Sequence, residues 1–180
     1  GGYSPEVEAE CLFPAEPRPA DRQEHGARVG DMVHHVMEKI DMEDPEGWLD
    51  AYADHLRRLC GESLEEVRDL CLAFFAMELP FRLEEAEVLG REFPYMVGTP
   101  AGVKARYVDL LLRSRDGRLR VLDYKTDRLG VPGWEETVDG YVEKMRYYIG
   151  DISRFFDEPV TGHLVFLRHR SFRDVPENVN

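Results

Sequence analysis

The chain has 180 residues, enough for one domain of ordinary size with a real core. Apolar residues make up 43% and charged ones 33%, the balance of a soluble globular protein, and no apolar run approaches the roughly 20 residues that span a bilayer. A net charge of −13 disfavours a partner held by phosphate contacts alone, and three scattered cysteines (Cys11, Cys60 and Cys71, none in a C-x-x-C pair) disfavour a disulfide framework, a zinc site or an iron–sulphur cluster.

Residues 1–25 include "FPAEPRPADRQEHG", a proline-rich polar stretch without period, read as a linker or extended arm; residues 26–180 form the domain. The chain opens Gly1-Gly2 with no initiator Met and no signal peptide, as expected of a cytoplasmic fragment excised from a longer protein. From Ala27 to Ile40, Val29, Val33, Val36, Met37 and Ile40 recur at helical spacing. "PEGWLDAYADHLRRLCG" predicts a second helix stopped by Gly61. Ser63 with Glu66 forms a capping box ahead of a third, "LEEVRDLCLAFFAMELPF".

The period then changes. Strands are expected over Leu89–Val97, in "VKARYVDLLLRS" and in "RLRVLDYK", with "GTPAG" and "RDG" as turns. A Gly/Pro loop leads to an amphipathic helix, "VDGYVEKMRYYIGDISRFF", and "TGHLVFLRHR" supplies a final strand. Helices, a meander, then helix and strand describe an α/β domain with a mixed sheet.

Charge is unevenly spread. Lys104 to Arg128 holds eight basic and four acidic residues, while the remainder is strongly acidic. Within that basic strip lies "VLDYKTDRLG", where Asp123 and Lys125 share one face of a strand. If Arg115, Asp116 and Gly117 form a three-residue loop with Gly117 left-handed, Ser114 pairs with Arg118 and Asp109 stands opposite Asp123. Like charges directly across a strand pair are destabilising. A divalent cation bound by both carboxylates would turn that repulsion into coordination, and Lys125 beside it would stabilise charge on a phosphate. A loop one residue shorter, or two solvent-facing aspartates, would remove the case for a site.

In order along the chain, "GDMVHHVME", "REFP", "YVDLLL", "VLDYKTDRLG" and "GYVEKMRYY" resemble motifs of the PD-(D/E)XK nuclease superfamily. The nearest likeness is to the C-terminal nuclease domain of RecB- and AddA-type helicase–nucleases, over residues 27–169. The resemblance implies a restriction-endonuclease-like fold, a mixed β-sheet flanked by helices. It also implies a Mg²⁺-dependent deoxyribonuclease in which Mn²⁺ can substitute. Gly30, His34 and Glu38 match a helical G-x-x-x-H-x-x-x-E element whose His contributes to the metal site; alone, His34 reads as an ordinary helix histidine. Glu92 matches an auxiliary acid, Asp109 and Asp123 the metal-binding aspartates, Lys125 the catalytic lysine, and the backbone carbonyl of Tyr124 a further metal ligand. Tyr141 and Tyr148 match a Y-x-x-Q-x-x-x-Y helix facing nucleic acid, with Lys144 in place of its Gln; without the family they read as core. Arg106 replaces a Gly three residues before the first Asp.

Iron–sulphur relatives carry four cysteines, so no cluster is expected here. The expected partners are DNA as a single strand, a helicase motor in the same parent chain and a second subunit, with an exonuclease role in DNA repair and recombination. The competing reading is a nuclease-like module that guides DNA or binds protein without cleaving, disfavoured because no acidic ligand of the motif, nor Lys125, has been lost.

Overall fold

A computed structural model describes residues 25–177, so the proline-rich stretch up to Glu24, and Cys11 with it, lies outside the described residues. The chain divides into two compact units, Gly1–Ala76 and Met77–Asn180. Among the described residues no helix is long and apolar enough to cross a membrane.

The first unit is helical. Helix α1 (His25–Lys39) buries Val29, Val33, Val36 and Met37, the stripe its spacing predicts, and packs against α4 (Leu64–Ala76), which buries Val67, Leu70, Cys71, Ala73 and Phe74. The expected second helix is two: α2 (Pro45–Ala51) and α3 (Ala53–Cys60) break at the buried Tyr52. Asp44 caps α2 by accepting the Gly47 N–H at 3.0 Å, and Gly61 ends α3 with φ 55°. Glu66, expected in a capping box, lies 3.1 Å from His25 of α1. Helix α4 stops at Ala76, short of the predicted Phe81, because the ring of Pro80 would strike the carbonyl four residues earlier. Burial pushes the Cys60 thiol up to about 11 and the Cys71 thiol higher still, so both stay protonated.

The second unit is a five-stranded sheet in the order β1 (Glu87–Thr99), β2 (Gly102–Arg113), β3 (Leu119–Lys125), β4 (Val160–Phe166), β5 (Ser171–Val175). Only the β3–β4 pair is parallel, joined by helix α5 (Trp134–Phe156), so the sheet is mixed as expected. The expected last strand ends early, at Phe166: a 3₁₀ turn at Leu167–His169 and a left-handed Arg170 then fold a further strand, β5, back on β4.

One face of the sheet carries α5. Val138, Val142, Met145, Ile149 and Ile152 of the helix share a core with Leu111, Leu119, Val121 and Leu164 of the strands. At Gly162 of β4 the helix comes so close that a Cβ would lie 2.6 Å from the Met145 side chain and 2.8 Å from that of Ile149. Arg113 clamps the far end of α5 through a two-point pair with Glu158, at 2.6 and 3.1 Å.

The opposite face holds a buried polar chain. Arg120 donates to Ser114 Oγ at 2.8 Å and to Nε2 of the fully buried His163 at 3.1 Å, with its guanidinium 4.9 Å from the Phe81 ring centroid. Since arginine only donates, His163 carries its proton on Nδ1 and gives it to Asp174 at 2.6 Å. Burial lowers the His163 pKa and keeps the ring neutral.

Candidate active site

The β2–β3 turn has the geometry its sequence predicts. Ser114 N–H donates to the Arg118 carbonyl at 3.0 Å, Gly117 N–H to the Ser114 carbonyl at 2.8 Å, and Gly117 has φ 81°. The ladder runs Arg113↔Leu119 to Leu110↔Leu122, and one further step sets Asp109 across from Asp123. The first hairpin extends the row. Thr99 pairs with Gly102, and the pairs Arg91↔Leu110 and Phe93↔Val108 bracket Glu92 opposite Asp109. Carried through these positions, the two registers line up Glu92, Asp109 and Asp123 across three adjacent strands, although none of the three is itself paired in either of these two ladders.

That row is locally irregular. Tyr95, Arg106, Phe93 and Val108 face α5 below it and Leu111 and Arg113 above it, so the alternation slips by one residue between Val108 and Leu111. Glu92, across from the slip, has φ 46°, a conformation that a non-glycine residue adopts at a cost. Such irregularities re-aim side chains, and this one sits among the acids.

Asp109 and Asp123 are in contact. Asp109 Oδ2 accepts the Tyr124 N–H at 2.8 Å, which ties the middle of β2 to the end of β3. Asp123 is only 8% exposed; burial, and then the charge and hydrogen bond of Asp109, push its pKa up to about 7 against the pull of Lys125. Lys125 Nζ lies 3.2 Å from Asp123 Oδ2 and 4.0 Å from the centroid of the Tyr141 ring. The Tyr141 hydroxyl lies 3.1 and 3.0 Å from the two oxygens of Asp127. Asp127 was not singled out in the sequence, though its place two residues beyond Lys125 continues the alternation of Asp123 and Lys125.

Helix α5 brings Tyr141, Lys144 and Tyr148 to this end of the sheet. Lys144 is exposed, 5.6 Å from the Tyr148 ring centroid, and its pKa is raised by a hydrogen bond to Tyr148 and by the negative charge of Asp123 and Asp109. Tyr148 itself is part of the core, edge-on to Tyr95. Arg106 turns to α5 instead: it donates to Asp151 at 2.6 Å, an oxygen that also accepts the Tyr95 hydroxyl, and stacks near Tyr147. His34 lies half-buried on α1, in the helical unit.

The basic strip is less open than its composition suggests. Arg106, Arg113, Arg115, Arg120 and Lys125 are engaged by Asp151, Glu158, Glu85, Asp116 and Asp123. Lys104, Arg118 and Arg128 are exposed and make no ion pair among the described residues.

Among the described residues no three His, Cys, Asp or Glu side chains gather as a ready-made metal cage. Magnesium needs none: it takes one or two carboxylates and completes its shell with water. Two touching carboxylates, one of them held protonated near neutrality by burial and by the charge of the other, are donors of the kind that ion requires.

A profile of the PD-(D/E)XK nuclease superfamily matches residues 8–140, well over half of the chain. The chain belongs to the PD-(D/E)XK nuclease superfamily. The match spans His34, Glu92, Asp109, Asp123 and Lys125 and ends just before Tyr141. Members of the superfamily are nucleases that typically use divalent metals, and the five-stranded mixed sheet with its helices suits their restriction-endonuclease-like fold. No curated protein matches the chain.

Proposed function

We propose that this PD-(D/E)XK protein is a Mg²⁺-dependent deoxyribonuclease of the RecB/AddA type, hydrolysing phosphodiesters of single-stranded DNA as the exonuclease domain of a repair and recombination helicase–nuclease. The observation that carries this reading is the contact group Asp109–Asp123–Lys125, two touching acids with an ammonium 3.2 Å from one of them. Asp109 and Asp123 would hold the ion, with the Tyr124 carbonyl as a further donor and Glu92 supporting from the neighbouring strand. A bound dication would supply Lewis-acid polarisation of the phosphate and a more acidic attacking water. Mn²⁺ suits the same oxygen donors.

Lys125 places a fixed positive charge where charge develops on the phosphate, a stabilisation that costs no reorganisation in a partly buried site. Lys144 offers an exposed charge for the incoming backbone and the half-buried Tyr141 an aromatic ring beside it, while Tyr148, matched to the same motif, serves the core. With five of the eight strip cations engaged by acids, affinity for DNA is weak, and delivery by a motor in the same parent chain would replace it with a high effective concentration. The test is cleavage of a labelled single strand in Mg²⁺ against EDTA, with Asp123→Asn beside the wild type. Equal cleavage in EDTA, or by the variant, would contradict the reading.

A further inference from the structure

Lysine is a poor fixed charge by itself: its ammonium rides on a flexible four-carbon stem with three rotatable donors. Lys125 is nevertheless held from two sides, by Asp123 at 3.2 Å and by the face of Tyr141 at 4.0 Å. The Tyr141 ring needs its own anchor, because each of the staggered χ1 wells open to it would carry the ring and its hydroxyl to a different place. Asp127 supplies one. Both its oxygens lie within 3.1 Å of the Tyr141 hydroxyl, and burial together with Asp127 pushes that hydroxyl up to about 12, so it remains a donor.

We propose that Asp127 is a positioning residue that sets the Tyr141 ring and, through it, holds the Lys125 ammonium against Asp123. The contacts run in one line, Asp127 to the Tyr141 hydroxyl, Tyr141 ring to Lys125 Nζ, Lys125 to Asp123, and join the loop after β3 to α5 across the site. The placement of Lys125 stands on this geometry alone; its consequence for cleavage rests on the nuclease reading above. The bland alternative is that the Asp127–Tyr141 bond only fastens the loop to the helix.

Two measurements separate these. In the metal-free full chain, ¹³C-labelled lysine reports the ring current of Tyr141 on the ε-methylene of Lys125. Asp127→Ala should move that signal toward the position of exposed lysines, and Asp127→Asn, which keeps one acceptor oxygen and the side-chain volume, should fall between. A signal unmoved in both variants overturns the proposal. In Mg²⁺ with single-stranded DNA, Asp127→Ala should lower kcat about 10-fold or more with KM little changed, the scale of misplacing one reacting group. The same substitution should cost nothing further in a Lys125→Ala background, because the two act as a unit. An undiminished kcat, or a full further loss in that background, overturns it. Should no protein cleave, wild type included, the nuclease reading fails and the lysine signal alone decides the positioning.

Discussion

Asp109 grips β3 with one carboxylate oxygen while pressing on its neighbour: it accepts the Tyr124 N–H at 2.8 Å and adds its charge to the burial that pushes the Asp123 pKa up to about 7. The same side chain therefore stabilises the strand pair and destabilises the negative charge beside it.

A divalent cation should relieve that conflict. At a hundred times its Kd, Mg²⁺ would add about 2.7 kcal/mol, or about 5–10 °C in Tm for a chain of this size. Asp109→Asn should abolish the rise while keeping an acceptor for the Tyr124 N–H. Asp109→Ala would also orphan that N–H, at a cost of about 1–3 kcal/mol. Differential scanning calorimetry with and without Mg²⁺ checks this; a rise retained by Asp109→Asn would take Asp109 out of the metal site.

Stability should depend on pH in a definite direction. Asp123 binds its proton more tightly folded than unfolded, with its pKa moving from 3.8 to about 7. Its contribution is therefore fully present below about pH 4 and is lost as pH rises through about 7. In EDTA, the Tm of the wild type relative to Asp123→Asn should fall across that window. Mg²⁺ affinity should rise across the same window, since the ion competes with the proton. Parallel Tm curves for the two proteins would contradict the raised pKa.

Removing the ammonium should act on rate and not on the metal. Lys125→Ala is expected to lower cleavage by roughly 10² or more, the loss of one electrostatic stabiliser, and to leave calorimetric Mg²⁺ binding nearly unchanged. Wild-type turnover in that variant would remove Lys125 from the chemistry.

On the other face of the sheet, Arg120→Ala would strip Ser114 and the fully buried His163 of a shared donor and leave polar atoms without water. The cost should be roughly 2–3 kcal/mol, the upper part of the range for a buried polar group left unsatisfied. Asp174→Ala should cost about 1 kcal/mol, because its side chain is 53% exposed and water can take its place. Urea denaturation separates the two; equal losses would contradict the buried network.

What could be read beforehand was whatever hangs on counting. The Gly117 turn determines the β2–β3 register from Arg113↔Leu119 to Leu110↔Leu122, so the approach of Asp109 to Asp123 just beyond it was foreseeable from the sequence. The same count from the Thr99–Gly102 turn reaches Glu92 opposite Asp109, an alignment that was available but that only the family likeness had pointed to. The break at Tyr52 was not legible, because a buried aromatic at helical spacing carries no stop signal. Nor was β5, since "SFRDV" is short and its hairpin turns on Arg170, a residue that seldom takes left-handed φ. Asp127 went unnoticed because its partner, Tyr141, is fourteen residues away and meets it only through the seating of α5. The engagement of the strip arginines by distant acids was likewise invisible to a count of charges.

Gly162 pairs with Val121, two residues back along the strand from Asp123, and it governs how low α5 can ride. With no side chain there, Met145 and Ile149 settle onto β4, and Tyr141, one helical turn before Met145, comes down within reach of Lys125. The helix behaves as a beam whose bearing is a missing methyl group. Gly162→Ala would shim that bearing and lift the near end of the beam, so the site could be detuned by an alanine that touches none of its residues.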